Sequence, residues 1–375
     1  MTPTQHLDRA ARDLSLDRRG VAAVAGLLAE GATVPFIARY RKERTGSLDE
    51  VAITAVRDRL ADLAALDQRR EAILASLTER ELLTDELRRD VLAAGTMTAL
   101  EDVYLPYRPK RRTRATVARE RGLEPLADLL WAQDRATDPA QAAMAHVDPD
   151  REVPDVESAL AGARDILAER VSEDPDARGE LRDLLRERGM VRSKVRRGKE
   201  QEGQKFRDWF EFEEPVRRTV SHRVLAMRRG EAEDILSVRL VLDEETALHR
   251  LERRFLRGRG PASGQVAQAI QDGWKRLMSI SLETELRLEL KQMADTEAIR
   301  VFAENVRELL LAAPLGEKPV LALDPGFRTG CKLVVLDAQG RRQQQLPQVL
   351  GEHADGLGVG RGLQLQAQLG LQRHR

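Results

Sequence analysis

The fold class is indicated by residues 266–313, which read VAQAIQDGWKRLMSISLETELRLELKQMADTEAIRVFAENVRELLLAA. Apolar residues recur there at helical spacings, with charged residues between them. The run after Ser281, with Glu283 in its first turn, therefore predicts a long helix that ends before Pro314 and Pro319. The same period dominates the chain before this stretch, so the sequence predicts a mostly α protein.

Composition narrows the class of protein. The 375 residues leave room for two or three domains. Lys and Arg together number 62, as do Asp and Glu, so any binding of nucleic acid must come from local patches. The single cysteine, Cys331, excludes a disulfide framework and fits a reducing compartment. Without a signal peptide or an apolar run of ~18 residues, we expect a soluble, cytoplasmic protein with no cofactor.

Several short patterns predict where helices begin. Residues 47–50 (SLDE) and 98–101 (TALE) have the spacing of capping boxes, and Thr84 precedes two acids. Residues 155–171 and 176–189 carry further helical periods, with proline at or just outside each start. Glycine and basic residues then crowd residues 191–205 (VRSKVRRGKEQEGQK), which predicts a linker or an exposed basic arm.

One late stretch has the pattern of a β-hairpin. Residues 321–337 read LALDPGFRTGCKLVVLD, two short apolar runs around a glycine-rich turn, and no other part of the chain reads this way. Asp324-Pro325-Gly326 is most simply interpreted as a strand terminator, because Pro fixes one dihedral and Gly supplies the positive one. Residues 341–375 have no usable period, and we expect a disordered tail there and no third strand.

Five segments together resemble the bacterial transcription accessory protein Tex family. Two are VPFIARYRKERTGSLDE (34–50) and YLPYRPKRRTRATVARERGLEPLA (104–127); the others are SHRVLAMRRGE (221–231), DGWKRL (272–277) and the hairpin. The resemblance covers roughly residues 1 to 340. It implies helices with a helix-turn-helix element, a long helical projection, and the first hairpin of an RNase H-like domain of the YqgF type.

The resemblance also organises the chain into parts. We expect a helical N-terminal domain over residues 1–190 and a helical central region over 191–316. The incomplete RNase H-like domain would occupy 317–340, followed by a divergent tail over 341–375. Since the resemblance stops near Gly340, before the family's helix-hairpin-helix and OB-fold RNA-binding parts, a frameshift is the favoured explanation, with a true short variant as the alternative.

Two basic segments are the candidate nucleic-acid contacts, because guanidinium and ammonium groups bind phosphate. They comprise Arg108, Lys110, Arg111, Arg112 and Arg114, with Tyr104 and Tyr107 alongside, and Arg192, Lys194, Arg196, Arg197 and Lys199. Either set could instead pair with carboxylates of this chain, and the second could fold onto the acidic stretch DWFEFEE (residues 208–214). Phe36, Ile37 and Tyr40 have the spacing of a buried helix face, and we expect them in the core.

Three functions remain open at this stage. The leading hypothesis is a non-enzymatic transcription accessory protein that binds RNA or single-stranded nucleic acid weakly and non-specifically, with the transcription machinery as a further candidate partner. A metal-dependent RNase H-like nuclease would use Asp324, but two metal ions need several carboxylates, and only Asp337, Glu352 and Asp355 follow it. The third possibility is a helical scaffold for protein partners.

Overall fold

A computed structural model describes residues 3–109, 112–313, 316–326 and 330–345 of the chain. The chain divides into two compact units, Met1–Ala298 and Ile299–Arg375. Most of the described residues are helical, which confirms the mostly α prediction. Within those ranges, no helix has the length and apolarity needed to cross a lipid bilayer.

The first unit begins with short helices packed on one long helix. They are α1 Pro3–Leu14, α2 Arg18–Ala29, α3 Val34–Tyr40, α4 Lys42–Thr45, α5 Glu50–Glu79, α6 Asp85–Ala93 and α7 Met97–Tyr104. The first half of α5 buries Ile53 and Val56 against α1 to α3. Its second half buries Ile73 and Leu77 with side chains of α6 and α7. Helix α5 therefore joins two separate apolar clusters.

The helix starts agree with the sequence analysis at Thr84 and differ at both predicted capping boxes. Thr84 caps α6, as predicted. Helix α5 is capped by Asp49, which accepts a hydrogen bond from the N–H of Ala52 at 2.7 Å. Ser47 cannot cap it, because Ser47 has a φ of 63° and belongs to the left-handed turn that follows α4. Helix α7 is capped by Thr96, two residues before the predicted position.

A larger body follows, built around one central helix. Its helices are α8 Arg114–Glu120, α9 Glu124–Ala132, α10 Pro139–Met144, α11 Val156–Ser172, α12 Pro175–Arg188, α13 Ser221–Ala232, α14 Glu244–Phe255 and α15 Pro261–Gly273. Helix α11 packs against α8, α9, α10 and α15. Gly273 allows α15 to approach α11 closely, because a Cβ there would lie 2.9 Å from the carbonyl oxygen of Ala168. Helices α11 and α12 confirm the two helical periods found in the sequence.

This body also contains a three-stranded antiparallel sheet that the sequence analysis did not predict. Its strands are β1 Met190–Val195, β2 Glu211–Pro215 and β3 Leu236–Val241, in the order β2-β1-β3. The expected exposed arm at 191–205 is therefore wrong for its first part, which is the central strand. Val191 and Ser193 are buried, while Arg192 and Lys194 are exposed, so burial does alternate along the strand. Both of these exposed positions carry basic side chains.

The long helix after Ser281 is confirmed, and it starts earlier than predicted. Helix α15 continues through a π-helical turn, Trp274–Met278, into α16 Ser279–Leu311. Leu282 and Leu286, in the N-terminal part of α16, are buried in the apolar core of the body that contains α11 and the sheet. The boundary between the two units falls within α16.

The second unit contains the hairpin. Strands β4 Val320–Gly326 and β5 Gly330–Leu336 pair antiparallel, as the sequence indicates. A third strand, β6 Arg342–Gln345, pairs with β5, so the expectation of no third strand is wrong. Backbone hydrogen bonds form this strand without an apolar pattern in its sequence. The rest of the predicted tail lies outside the described residues. The RNase H-like assignment, the helix-turn-helix element and the four-part domain division stay predictions.

Candidate nucleic-acid interface

The first basic segment leaves α7 through a short 3-10 turn, Leu105–Tyr107, and ends at α8. Tyr104 is buried, and its hydroxyl lies 3.2 Å from the Oγ of Ser76. The guanidinium of Arg69 sits 5.6 Å from the centre of the Tyr104 ring. Tyr107 is half-buried against the same cluster. Both tyrosines thus fasten the segment to the body, and the Tyr104 ring is not exposed for stacking on a base.

The described cations of this segment all point to solvent. Arg112 pairs with Glu120 at 2.9 Å, and both side chains are more than half exposed. Arg108 and Arg114 are exposed, and neither forms an ion pair with any described residue. Lys110 and Arg111 lie outside the described residues. An exposed ion pair contributes only ~0–1 kcal/mol, so a phosphate could replace Glu120 at little cost.

Two clefts flank the segment, with volumes of ≈ 450 Å³ and ≈ 550 Å³. Both are lined by Leu105, Arg178, Ser281 and Glu285. Beneath them, Asp102 accepts hydrogen bonds from Arg178 at 2.7 Å and from Arg182 at 3.0 Å. Glu285 pairs with both arginines, at 2.9 Å to Arg182. Two acids balance two cations, so this network ties α7 and α12 to α16 and leaves no unpaired charge for a ligand.

Ionisable groups near the first cleft are held by partners as well. Glu169 of α11 accepts hydrogen bonds from Thr113 at 3.1 Å and from Arg119 at 2.6 Å. The pKa of Asp165 lies above its ordinary value, chiefly because of burial, although Arg276 at 2.9 Å opposes the shift. These contacts anchor the start of α8 and hold the basic segment against α11.

The second basic segment lies on the exposed face of the sheet. Arg192 and Lys194 project from the central strand, and Arg192 stands in register between Glu213 of β2 and Arg239 of β3. Arg192 pairs with Glu213 at 2.9 Å, with both side chains about half exposed. Arg239 pairs with Glu283 at 3.1 Å and is itself 63% exposed. The sheet therefore places three exposed cations side by side on one rigid surface.

The turn after β1 carries the remaining predicted cations. Arg196 pairs with Asp234 at 3.0 Å and also donates to the carbonyl oxygen of Leu236. Lys199 pairs with Glu202 at 2.7 Å. Arg197 is exposed and has no ion-pair partner among the described residues. This part is a turn that contacts β3, where the sequence predicted a linker or an exposed arm.

Two adjoining clefts beside the sheet hold cations that the sequence analysis missed. A cleft of ≈ 520 Å³ is lined by Arg188, Arg192 and Arg239, and a second of ≈ 470 Å³ by Arg188, His249 and Arg253. The alternation in LSVRLV (residues 236–241) could have revealed Arg239 as the exposed position of a strand. The sequence offers no comparable signal for Arg188, because only the folding of the chain brings the end of α12 beside Arg192 and Arg239.

Asp324 occupies β4, in register with Lys332 of β5. Its side chain lies outside the described residues. Among the side chains that the structure describes, no three His, Cys, Asp or Glu residues are placed to hold a metal ion. The surroundings of the Asp324 carboxylate therefore lie outside the described residues, and the nuclease hypothesis is untested.

Two protein families match separate regions of this chain, and individual known proteins match most of its length. Residues 4–78 match the family described as Tex-like protein N-terminal domain, and residues 134–302 match the family described as Tex central region-like. The second range contains the sheet and its three cations. The first contains α1 to α4 and nearly all of α5.

Similar curated proteins come from bacteria and from man. Protein tex of Bordetella pertussis is 45% identical over 335 residues, which cover 86% of this chain and 42% of that protein. Transcriptional accessory protein Tex of Neisseria gonorrhoeae is 43% identical, with coverages of 88% and 44%. S1 RNA-binding domain-containing protein 1 of Homo sapiens is 26% identical, with coverages of 84% and 33%. The chain spans less than half the length of these relatives.

Proposed function

We propose that this chain, which is a Tex-like protein, acts as a non-enzymatic transcription accessory protein that associates with RNA or single-stranded nucleic acid. Two relatives support the proposal by name, since one is called a transcriptional accessory protein and another an S1 RNA-binding domain-containing protein. Because the chain spans less than half of each, we place the contact in residues that this chain itself contains.

The observation that carries the proposal is the exposed face of the sheet. Arg192, Lys194 and Arg239 project from it at fixed positions, and residues two apart along a strand are ~6.6–6.8 Å apart. Each cation can therefore reach a different phosphate of one backbone. Glu213 and Glu283 are their only ion-pair partners among the described residues, and the exposed Arg192–Glu213 pair exchanges readily for phosphate. Glu283 is buried and also accepts from the N–H of Leu240, so it keeps a partner when Arg239 turns to a phosphate.

The segment that carries Arg108, Arg112 and Arg114 would add a second contact. It is anchored by Tyr104 and Thr113, so its cations are held at the surface without a flexible arm. The contacts would be made to phosphate groups, which carry no sequence information. Binding should then be independent of sequence, and micromolar or weaker near physiological salt.

The test compares a sheet variant with a matched control. The sheet variant changes Arg192, Lys194 and Arg239 to Ala; the control changes Arg88 and Arg89, which are exposed on α6, to Ala. If each lost contact is worth ~0.5 kcal/mol, as for an exposed ion pair, the sheet variant should bind a single-stranded oligonucleotide about tenfold more weakly. The control should bind like the wild type.

The same titration separates the two segments. A variant with Arg111, Arg112 and Arg114 changed to Ala should also bind more weakly if the first segment contributes. Equal affinities for the wild type, both variants and the control would show that these arginines only pair with carboxylates of the chain. That result would favour the helical scaffold for protein partners.

A further inference from the structure

Two aromatic side chains lie exposed on α3, where the sequence predicted core packing. Ile37 is fully buried and Val34 nearly so, which satisfies the apolar face of this short helix. Phe36 is 39% exposed and Tyr40 is 66% exposed, so their expected place in the core is wrong. Their ring centres are 5.4 Å apart with planes at 45°. The two rings therefore form a small aromatic surface that the core does not use.

Cations surround this aromatic surface. The guanidinium of Arg41 lies 4.9 Å from the centre of the Phe36 ring, and its Nη1 donates to the carbonyl oxygen of Tyr40 at 3.0 Å. Arg39 and Lys42 are exposed beside it. Within the described parts of the chain, none of Arg39, Arg41 and Lys42 lies within 4.0 Å of a carboxylate oxygen. The Phe36 ring and the carbonyl oxygen thus fix the Arg41 guanidinium without neutralising it.

The base beneath this surface is tightly packed. Thr45 is buried, and its hydroxyl donates to the carbonyl oxygens of Arg41 and Lys42 at 3.3 and 3.2 Å. Gly20 of α2 lies so close that a Cβ there would be 2.9 Å from the carbonyl oxygen of Thr45. Gly46 ends α4 with a φ of 69°. The turn between α3 and α4 is therefore held in place before any ligand arrives.

We infer that Phe36, Arg39, Tyr40, Arg41 and Lys42 form a stacking site for an unpaired base of single-stranded nucleic acid. Tyr40 offers the more exposed ring, and base–aromatic stacking tolerates any base because every base has a π-face. Arg41 can bind the neighbouring phosphate with two parallel N–H groups. Arg39 and Lys42 would follow the backbone on either side. The inference rests on the proposed function and locates base contact away from the phosphate contacts of the sheet.

The positive charge around Phe36 and Tyr40 favours single-stranded nucleic acid over a protein partner. Tyrosine and arginine are also frequent at protein interfaces, but such patches are centred on apolar contacts. Here four cations, Arg39, Arg41, Lys42 and Arg44, stand with one acid, Glu43, in six consecutive residues. Of these four cations, Arg44 alone lies within 4.0 Å of a described carboxylate, that of Glu30 at 3.9 Å. An aromatic surface bordered by unpaired cations complements an anionic strand with exposed bases.

The experiment uses two oligonucleotide probes with equal numbers of phosphates. One is a single-stranded oligoadenylate 12-mer, and the other is an abasic 12-mer. Tyr40→Leu keeps an apolar side chain at an exposed position and removes the ring. It should weaken binding of the oligoadenylate by between about fivefold and a hundredfold, the range expected for one stacked base, and leave the abasic probe unaffected.

Two further variants complete the design. Tyr40→Trp places a larger aromatic ring at the same position, and this variant should bind oligoadenylate at least as tightly as the wild type. Phe302→Leu removes a ring of similar exposure (69%) from α16 and should change neither affinity. Thermal unfolding of each variant confirms that the fold is kept. A 5-iodouracil-substituted strand should crosslink to Phe36 or Tyr40 on irradiation.

The outcomes separate this inference from the proposed function. If Tyr40→Leu binds oligoadenylate like the wild type while the sheet variant binds it more weakly, the stacking site is wrong and the proposed function stands. The surface around Tyr40 would then be left to a protein partner. If the wild type binds neither probe at low salt, both proposals are wrong.

Discussion

At the scale of single residues, Asp102 is the clearest example of a charge that the fold cannot lose. It is buried between Arg178 and Arg182, which donate to it at 2.7 and 3.0 Å. Glu285 is the other acid of the network and is about one-third exposed. The network joins α7, α12 and α16, three elements that are distant in sequence. A buried network of this kind positions the neighbouring basic segment and does not itself bind a ligand.

We predict that Asp102→Ala lowers the free energy of unfolding by ~3–5 kcal/mol, because two buried guanidinium groups lose their shared partner. Urea denaturation followed by circular dichroism measures this change. Asp58→Ala serves as the control, since the Asp58–Arg57 pair is exposed and should matter by less than ~1 kcal/mol. Equal effects of the two substitutions would mean that the Asp102 network contributes little to stability.

At the scale of elements, the helices were more readable from sequence than the strands of the three-stranded sheet, although only one of the three predicted caps lies where it was expected. Thr84 was identified because two acids follow it at a helix start, and α11 and α12 because their apolar residues keep the helical period. Strand β1 was missed because its exposed positions are Arg192 and Lys194, so composition suggested an arm. Its pairing with β2 and β3 depends on partners 17 to 51 residues away, which local patterns cannot reveal.

The residues of the candidate site were also only partly predictable from the sequence. The sequence proposed Arg192 and Lys194 as candidate nucleic-acid contacts on the expectation of an arm, whereas they lie on a strand. It did not point to Arg239, which only the register of β3 brings beside Arg192. It also placed Tyr40 in the core, because helical spacing shows which residues share a face but not which face is buried. Burial of Ile37 settles that choice.

The N-terminal cap of α11 provides a pH-dependent test at this scale. The pKa of Asp155 lies below its ordinary value of 3.8, because its carboxylate accepts a hydrogen bond from the backbone of Ser158. A lowered folded-state pKa means that this stabilisation is present above the unfolded-state pKa and lost as pH falls through the folded value. We therefore expect Asp155→Ala to lower the melting temperature at pH 7, with the difference shrinking below about pH 4.

Melting curves of the wild type and of Asp155→Ala at pH 7 and pH 3 measure the effect. Asp155→Asn is the control, because an amide oxygen can accept the same hydrogen bond without titrating. A difference between wild type and Asp155→Ala that stays constant across this range would show that the charge of Asp155 plays no part in the cap.

At the scale of the whole molecule, the chain is neutral and its cations are unevenly placed. Many arginines of the helical body lie in ion pairs, while exposed cations are grouped on the sheet, at Arg108, Arg112 and Arg114, and on α3 and α4. Local surfaces of this kind can bind an anionic strand although the net charge is zero. The cations of the sheet and of α3–α4 lie on packed elements, which favours contacts of defined geometry.

We predict that the chain does not cleave nucleic acid, because one carboxylate, Asp324, cannot hold two metal ions. Labelled RNA, single-stranded DNA and four-way junctions should stay intact in Mg²⁺ or Mn²⁺. The control is Asp324→Asn, assayed in parallel with the wild type. Cleavage by the wild type that disappears in this variant would establish the nuclease hypothesis instead.

The central claim is that exposed cations of this chain bind the phosphates of a single strand. The most direct measurement is the dependence of affinity on salt for the wild type and for the variant with Arg192, Lys194 and Arg239 changed to Ala. Counterion release predicts that log K falls by ~0.7 per phosphate contact for each unit of log salt. The slope of the variant should therefore be shallower by about 2. Identical slopes for the two proteins would contradict the account.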